Sequence, residues 1–337
     1  MKNLLNISKK KVFIVAEIGN NHEGSFKVAK QLISKAKKCN VDAVKFQTFN
    51  PHNFYEKNQI KKIKKLKKYY LNYEQLKKLS SFAKKKRLIF FSTPLDLENA
   101  TKLNKMQNIF KIASSDNDYF DLIKHISNFN KDIIISTGFS NLRLLKKVEK
   151  VVRKIWKKKK FNPNLSFLHC VSSYPTEFDQ SNLFAIKTLK KKFKNCIIGY
   201  SDHTKDIFSC LIAVVLGARI IEKHFTLDKN FSNFRDHQLS ADPEEMTTLV
   251  KNIRSLEKMK NLNMIKPQES EKKTYKLSRR SCVLIDDLKK DQILKYDNIV
   301  GLRPLKGVSI FDKEKIINKK IKRNMKAGTI INYKDLY

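Results

Sequence analysis

Two histidines, two lysines and a set of carboxylates and hydroxyls fall at the ends of short apolar runs. His203 lies in IGYSDHT (198–204) and His224 in EKHFT (222–226). Two imidazoles brought to one mouth, with Asp202 and Glu222 beside them, would hold a divalent metal and leave a coordination position open, as Lewis-acid chemistry requires. Lys45 and Lys111 lie inside otherwise apolar stretches. A buried ammonium is costly unless an anion neutralises it. Thr93, Ser114, Ser136 and Ser201 end further runs and would add hydroxyl and backbone donors to the same anion. Three readings of the lysines stay open on residue chemistry alone. They bind a phosphate or carboxylate of a ligand, they pair with Glu17, Asp116 or Glu222 and merely close the fold, or one forms a Schiff base. His22, His169 and His237 are secondary candidates; His52 and His125 are given no role.

The elements that must position these groups alternate regularly. Near-continuous apolar runs occur at 12–16, 42–47, 88–92, 109–113, 132–136, 165–170, 196–200 and 219–224, as expected of parallel strands buried on both faces. Between them, apolar residues at three-to-four spacing predict helices near 25–38, 72–86, 96–106, 117–129, 140–158, 179–193, 204–216 and 242–259. Start signals stand at Asn72 with Gln75, at Ser140, and at Asp242-Pro243-Glu244-Glu245. This pattern predicts an α/β fold, a closed (β/α)8 TIM barrel, whose site lies at the C-terminal strand ends. No GxGxxG follows the first run, which argues against a dinucleotide-binding open sheet. The pattern changes after Leu262. We read residues 1–266 as the barrel, 267–280 as a polar linker and 281–337 as a small, mostly β domain.

The chain has 337 residues, 41% of them hydrophobic, enough for one large core and a smaller one. No run of 18 apolar residues occurs, so no membrane span is expected. The five cysteines form no CxxC pair, which points to reduced thiols and a cytoplasmic protein. The net charge of +39 raises nucleic-acid binding as an alternative. However, Lys is spread over nearly every helix, Arg is scarce, and the densest runs, 61–68 and 157–160, read as a loop and a helix end. No specific nucleic-acid partner is expected; the charge suits an anionic substrate.

In chain order, VAEIGNNHEGS (15–25), VKFQT (44–48), STP (92–94), KIAS (111–114), STG (136–138), HCVSSYPT (169–176), IGYSDHT (198–204) and EKHFT (222–226) resemble the sialic acid (nonulosonic acid) synthase family. The tail, with RRS (279–281), LRP (302–304) and GTII (328–331), is similar to the antifreeze-like (SAF) domain that ends those enzymes. The resemblance implies condensation of phosphoenolpyruvate with N-acetylmannosamine or a related amino-sugar aldehyde, with phosphate leaving by C–O cleavage and a divalent metal, typically manganese, polarising the aldehyde. By position it implies that His203 and His224 hold the metal. Lys45, Thr93, Lys111, Ser114, Ser136 and Ser201 would contact phosphoenolpyruvate. Gln47, Tyr174, Asp236 and Arg303 would contact the sugar, and Glu17 and Asp116 would flank the reacting water. Arg303 would reach the partner's barrel in a domain-swapped homodimer. The chain has Asp116 and Ser172 where members acting on N-acetylmannosamine often have Glu and Asn, so legionaminic or pseudaminic acid synthesis is the alternative.

Overall fold

All eight apolar runs become strands: β1 Phe13–Gly19, β2 Ala43–Thr48, β3 Ile89–Pro94, β4 Ile109–Ile112, β5 Asp132–Ser136, β6 Leu165–His169, β7 Ile197–Asp202 and β8 Ile220–His224. The computed structural model describes residues 11–52, 54–259 and 265–337. The strands pair in parallel in the order β3-β2-β1-β8-β7-β6-β5-β4. β3 and β4 lie side by side, and a side chain bridges them: the amide of Gln107 accepts from Ser92 N at 2.8 Å and donates to Ser92 O at 3.0 Å. The result is a nearly closed TIM-like barrel with helices between the strands.

Strand alternation sorts the residues into two layers. Phe13, Val15, Ala43, Phe91, Ile134, Leu168 and Ile220 fill the barrel interior. Their neighbours, such as Ile14, Ala16, Val44, Phe90, Ile133 and Ile221, form the larger core with the helices. Glu17, Lys45, Thr93, Lys111, Ser136, Ser201 and Glu222 follow the inward residues by two or four positions. They therefore continue the interior stack at its C-terminal end.

The helices Phe26–Lys38, Tyr73–Lys85, Leu97–Leu103, Phe120–Ser127, Leu142–Lys159, Ala185–Lys192, Phe208–Leu216 and Pro243–Met259 occupy the predicted intervals. Asn72 and Gln75 form the expected reciprocal cap, and Asp242 Oδ1 accepts from Glu244 N and Glu245 N at 2.9 Å. Two local readings are corrected. The cap of the Leu142–Lys159 helix is Asn141, which accepts from Leu144 N, while Ser140 Oγ donates to Thr137 O at 2.6 Å. The lysine run read as a loop is the helix Ile60–Lys67, with Ile60, Ile63 and Leu66 at helical spacing and no buried residue. No helix among the described residues is long and apolar enough to cross a membrane.

The chain divides into two compact units, Met1–Asn261 and Leu262–Tyr337. In the second, β9 Ser281–Leu284 pairs antiparallel with β10 Ile299–Leu302. Bridges such as Val283–Ile330 and Leu288–Met325 extend the pairing around a core that includes Cys282, Leu294, Val308 and Ile331. The stretch read as a linker carries the short helix Lys272–Ser278 in this unit.

Candidate active site

The register of the barrel brings the strand-end groups together. Glu17 of β1 stands opposite Lys45 of β2 and His224 of β8, and Ser201 of β7 stands opposite Glu222 of β8. Lys45 Nζ lies 3.1 Å from Glu17 Oε2 and 3.3 Å from Glu222 Oε1. Lys111 Nζ lies 3.1 Å from the same Glu222 oxygen, and Ser201 Oγ donates to it at 2.9 Å. Lys45 also reaches Thr93 Oγ1 at 3.4 Å. All four charged groups are 4% exposed or less. The lysines thus pair with Glu17 and Glu222 and not with Asp116.

Burial and mutual charge decide their protonation. Burial pushes the Glu17 carboxyl up to about 7, against the pull of Lys45. Burial acts on Glu222 in the same sense, but Lys111 and Lys45 outweigh it and hold that carboxyl at about 2. Burial lowers Lys111, and Glu222 only partly restores it. Lys45 is raised, because Glu17 and Glu222 more than offset its burial. Glu222 is therefore the firm anion of the cluster, and the raised Glu17 adds less negative charge against the two lysines. An anionic ligand would complete the balance.

Beside this cluster lies a group of hydroxyls. Ser114 Oγ accepts from Gly138 N at 3.2 Å. Ser136 Oγ and Ser172 Oγ are buried without a hydrogen-bond partner, as is Glu222 Oε2. A Cβ on Gly138 would come within 2.2 Å of Ser172 Oγ and 2.7 Å of Ser114 Oγ, so glycine is required for the hydroxyls to converge. Asn117, which the sequence reading passed over, holds this loop by donating to Ser136 O at 3.2 Å and Gly138 O at 2.7 Å. Buried polar atoms without partners are uncommon, and here they adjoin two lysines.

His203 and His224 stand with ring centroids 5.4 Å apart. His203 Nδ1–H donates to Val171 O at 2.7 Å, which fixes the tautomer with Nε2 as the lone-pair donor. His224 is held far toward its neutral form, by burial first and then by the His203 and Lys45 charges, and its Nδ1 is buried without a partner. Burial acts on His203 in the same sense, but Cys170 and the Val171 carbonyl outweigh it, so that imidazole is raised instead. An imidazole nitrogen left free by this arrangement suits a divalent cation. Among the described residues no group of three or more His, Cys, Asp or Glu is arranged to hold one. A metal here would rest on two imidazoles, with its other positions open to substrate and water.

A cavity of about 760 Å³ adjoins His224 and is lined by Gln47, Tyr174 and Asp236, together with Glu23, Arg235 and Lys62. Gln47 Nε2 donates to Glu17 Oε1 at 3.4 Å, tying the cavity to the charged cluster. The Tyr174 ring lies 4.1 Å from the His203 ring by centroid, and the Arg235 guanidinium lies 4.7 Å from the Tyr174 ring centroid. Three predicted sugar contacts thus share one cavity. Arg303 lies in the second unit, exposed, with Nε donating to Ser278 O at 2.9 Å.

Several other strand-end groups are committed elsewhere. Asp202 does not face the mouth. It accepts from Lys223 Nζ at 2.7 Å and from Tyr200 Oη at 2.9 Å on the helix side of the barrel. His169 bonds Ser181 O at 2.8 Å, and His22 Nδ1 accepts from Gly24 N at 3.0 Å. Asp116 sits in a 3-10 turn, where it accepts from Ser115 Oγ at 3.3 Å. Burial pushes its carboxyl up to about 6.

The NeuB family matches residues 32–263. An uncharacterised protein of Methanocaldococcus jannaschii is 41% identical over 96% of this chain and 94% of its own length. An N,N'-diacetyllegionaminic acid synthase of Campylobacter jejuni is 37% identical over 96% of this chain and 99% of its own. The solved structure of an N-acetylneuraminic acid (sialic acid) synthetase of Leptospira borgpetersenii aligns with a TM-score of 0.72 at 33% identity, covering 78% of this chain and 90% of that one.

Proposed function

The chain belongs to the NeuB family, and from that membership we propose that it is a transferase that condenses phosphoenolpyruvate with an N-acetylated amino-sugar aldehyde. The observation that carries the reading is the buried cluster of Lys45, Lys111, Glu17 and Glu222, beside the unpartnered hydroxyls of Ser136 and Ser172. Two lysines and several hydroxyls around too little negative charge suit the phosphate and carboxylate of phosphoenolpyruvate.

In the proposed reaction, C3 of phosphoenolpyruvate bonds to the aldehyde carbon, and the aldehyde oxygen takes a proton. Water adds at the cationic C2 and loses one proton. The C2–O bond to phosphate then breaks as the new hydroxyl becomes the C2 carbonyl and passes its proton to the departing inorganic phosphate, which keeps the bridging oxygen. Lys45, Lys111, Ser114, Ser136 and Ser201 hold the phosphate and carboxylate. Gln47, Tyr174 and Asp236 orient the sugar. Glu17, whose carboxyl burial pushes up to about 7, is suited to accept the proton of the attacking water. Asp116, with its raised carboxyl, is the second candidate for that exchange. His203 and His224 would hold a divalent metal, most simply manganese, whose charge would polarise the aldehyde oxygen. The second unit fits the role of an SAF domain, with Arg303 capping a partner's barrel in a homodimer.

N-acetylmannosamine is the simplest acceptor, giving N-acetylneuraminate. The full-length likeness to the Campylobacter jejuni synthase favours a 2,4-diacetamido sugar of the legionaminic branch as the second reading. The test is phosphate release from phosphoenolpyruvate with manganese and each sugar. Release that stops on chelation supports the proposal. Absence of release with every sugar, from folded and metal-loaded protein, would sink it.

A further inference from the structure

His237 is a fully buried titratable side chain that the condensation does not use. Its Nδ1 lies 2.7 Å from Thr226 Oγ1, and its Nε2–H donates to Glu23 Oε1 at 3.0 Å. Ser232 Oγ donates to the same Glu23 oxygen. The rings of Phe231 and Phe234 pack against the imidazole at 5.1 and 5.9 Å. One carboxylate oxygen of Glu23 is thus gripped twice. Among the described residues no hydrogen bond or ion pair engages the other oxygen, Oε2.

Glu23 lines the cavity that also holds Gln47, Tyr174 and Asp236, and its side chain is 31% exposed. Its backbone sits at φ 46°, a left-handed conformation that a glutamate adopts only where its surroundings dictate it. A carboxylate held by one oxygen, on a strained backbone and in a residue that lines a polar cavity, is a fixed hydrogen-bond acceptor. Lys62 and Lys65 line the same cavity, and neither pairs with it.

We propose that Glu23 is a recognition residue for the acceptor sugar, accepting a hydrogen bond at Oε2 from an amide N–H or hydroxyl of the sugar, with His237 as its positioning residue. The identity of the ligand rests on the condensation proposed above. A carboxylate at this place selects a neutral sugar rich in donors and disfavours an anionic substituent beside it.

The test is equilibrium binding to the manganese-loaded full chain, without phosphoenolpyruvate, of N-acetylmannosamine and of a 2,4-diacetamido-2,4,6-trideoxy hexose. Glu23→Gln should weaken binding of the preferred sugar about tenfold or more, since a bond to a charged acceptor is lost, and leave phosphoenolpyruvate binding within about twofold. His237→Leu should produce the same selective loss, and the double variant should bind no more weakly than His237→Leu alone, because the imidazole acts through Glu23. His237→Gln, whose amide can still donate to Glu23, should keep most of the affinity. Unchanged sugar binding in Glu23→Gln, or equal losses for sugar and phosphoenolpyruvate, overturns the assignment. If wild type binds a sugar yet releases no phosphate, the condensation fails while the Glu23 comparison still decides this role. If wild type binds neither sugar, the role of Glu23 falls as well.

Discussion

Glu222→Gln removes the charge from an oxygen on which three donors converge. Lys45 Nζ at 3.3 Å, Lys111 Nζ at 3.1 Å and Ser201 Oγ at 2.9 Å all meet Glu222 Oε1. After the substitution Lys45 keeps Glu17 at 3.1 Å, but Lys111 keeps no carboxylate among the described residues. Stranding one member of a buried ion pair costs about 3–5 kcal/mol, and the amide oxygen still accepts a hydrogen bond, so the lower end, about 3 kcal/mol, applies. At roughly 2–4 °C per kcal/mol for a large domain, barrel unfolding should move down by about 6–12 °C. The assay is calorimetry of wild type, Glu222→Gln and Glu222→Gln/Lys111→Met. The double variant should melt well above Glu222→Gln, because the stranded ammonium is gone. Phosphoenolpyruvate should raise the melting temperature of Glu222→Gln more than that of wild type, since the ligand supplies the missing anion. The reasoning is refuted if Glu222→Gln melts within about 2 °C of wild type, or if removing Lys111 restores nothing.

Three further outcomes test other parts of the site. His203→Ala should bind manganese more weakly by titration and lose turnover by more than about a hundredfold, while circular dichroism stays unchanged; normal metal content would remove His203 from the ligand set. Burial holds the Asp116 carboxyl at about 6, above its ordinary value, so the folded state binds the extra proton and stability falls as pH rises through that window. Asp116→Asn should therefore raise the melting temperature at pH 7.5 and give no gain below about pH 4; an equal effect at both would refute the cause. Arg303→Ala should raise the KM for the sugar about tenfold and that for phosphoenolpyruvate much less, whereas equal effects would make the second unit a purely structural addition.

The barrel was legible in the sequence because strands buried on both faces must be apolar throughout. A lysine within such a strand, as in VKFQT or IFKIA, then stands out as an unneutralised charge. The expectation that Asp202 stands beside the two histidines overlooked the alternation of inward and outward residues at the strand ends. Ser201, Glu222 and His224 share a parity with the interior stack, and Asp202 and Lys223 do not, so their pairing on the helix side was implicit in alternation alone. The helix Ile60–Lys67 was obscured because its apolar residues are few and none is buried, leaving a pattern dominated by solvated lysine. Other features depend on groups far apart in the chain. That Glu222, not Asp116, neutralises Lys111 is set by the barrel's closure, which brings β4 and β8 across from one another. The Glu23–His237 pair spans 214 positions, and no local signal marks it. Local periodicity determines which residues face inward, because backbone geometry repeats along a strand. Only the tertiary structure decides which inward charges meet, because electrostatic energy depends on separation in space and on the water that closure excludes.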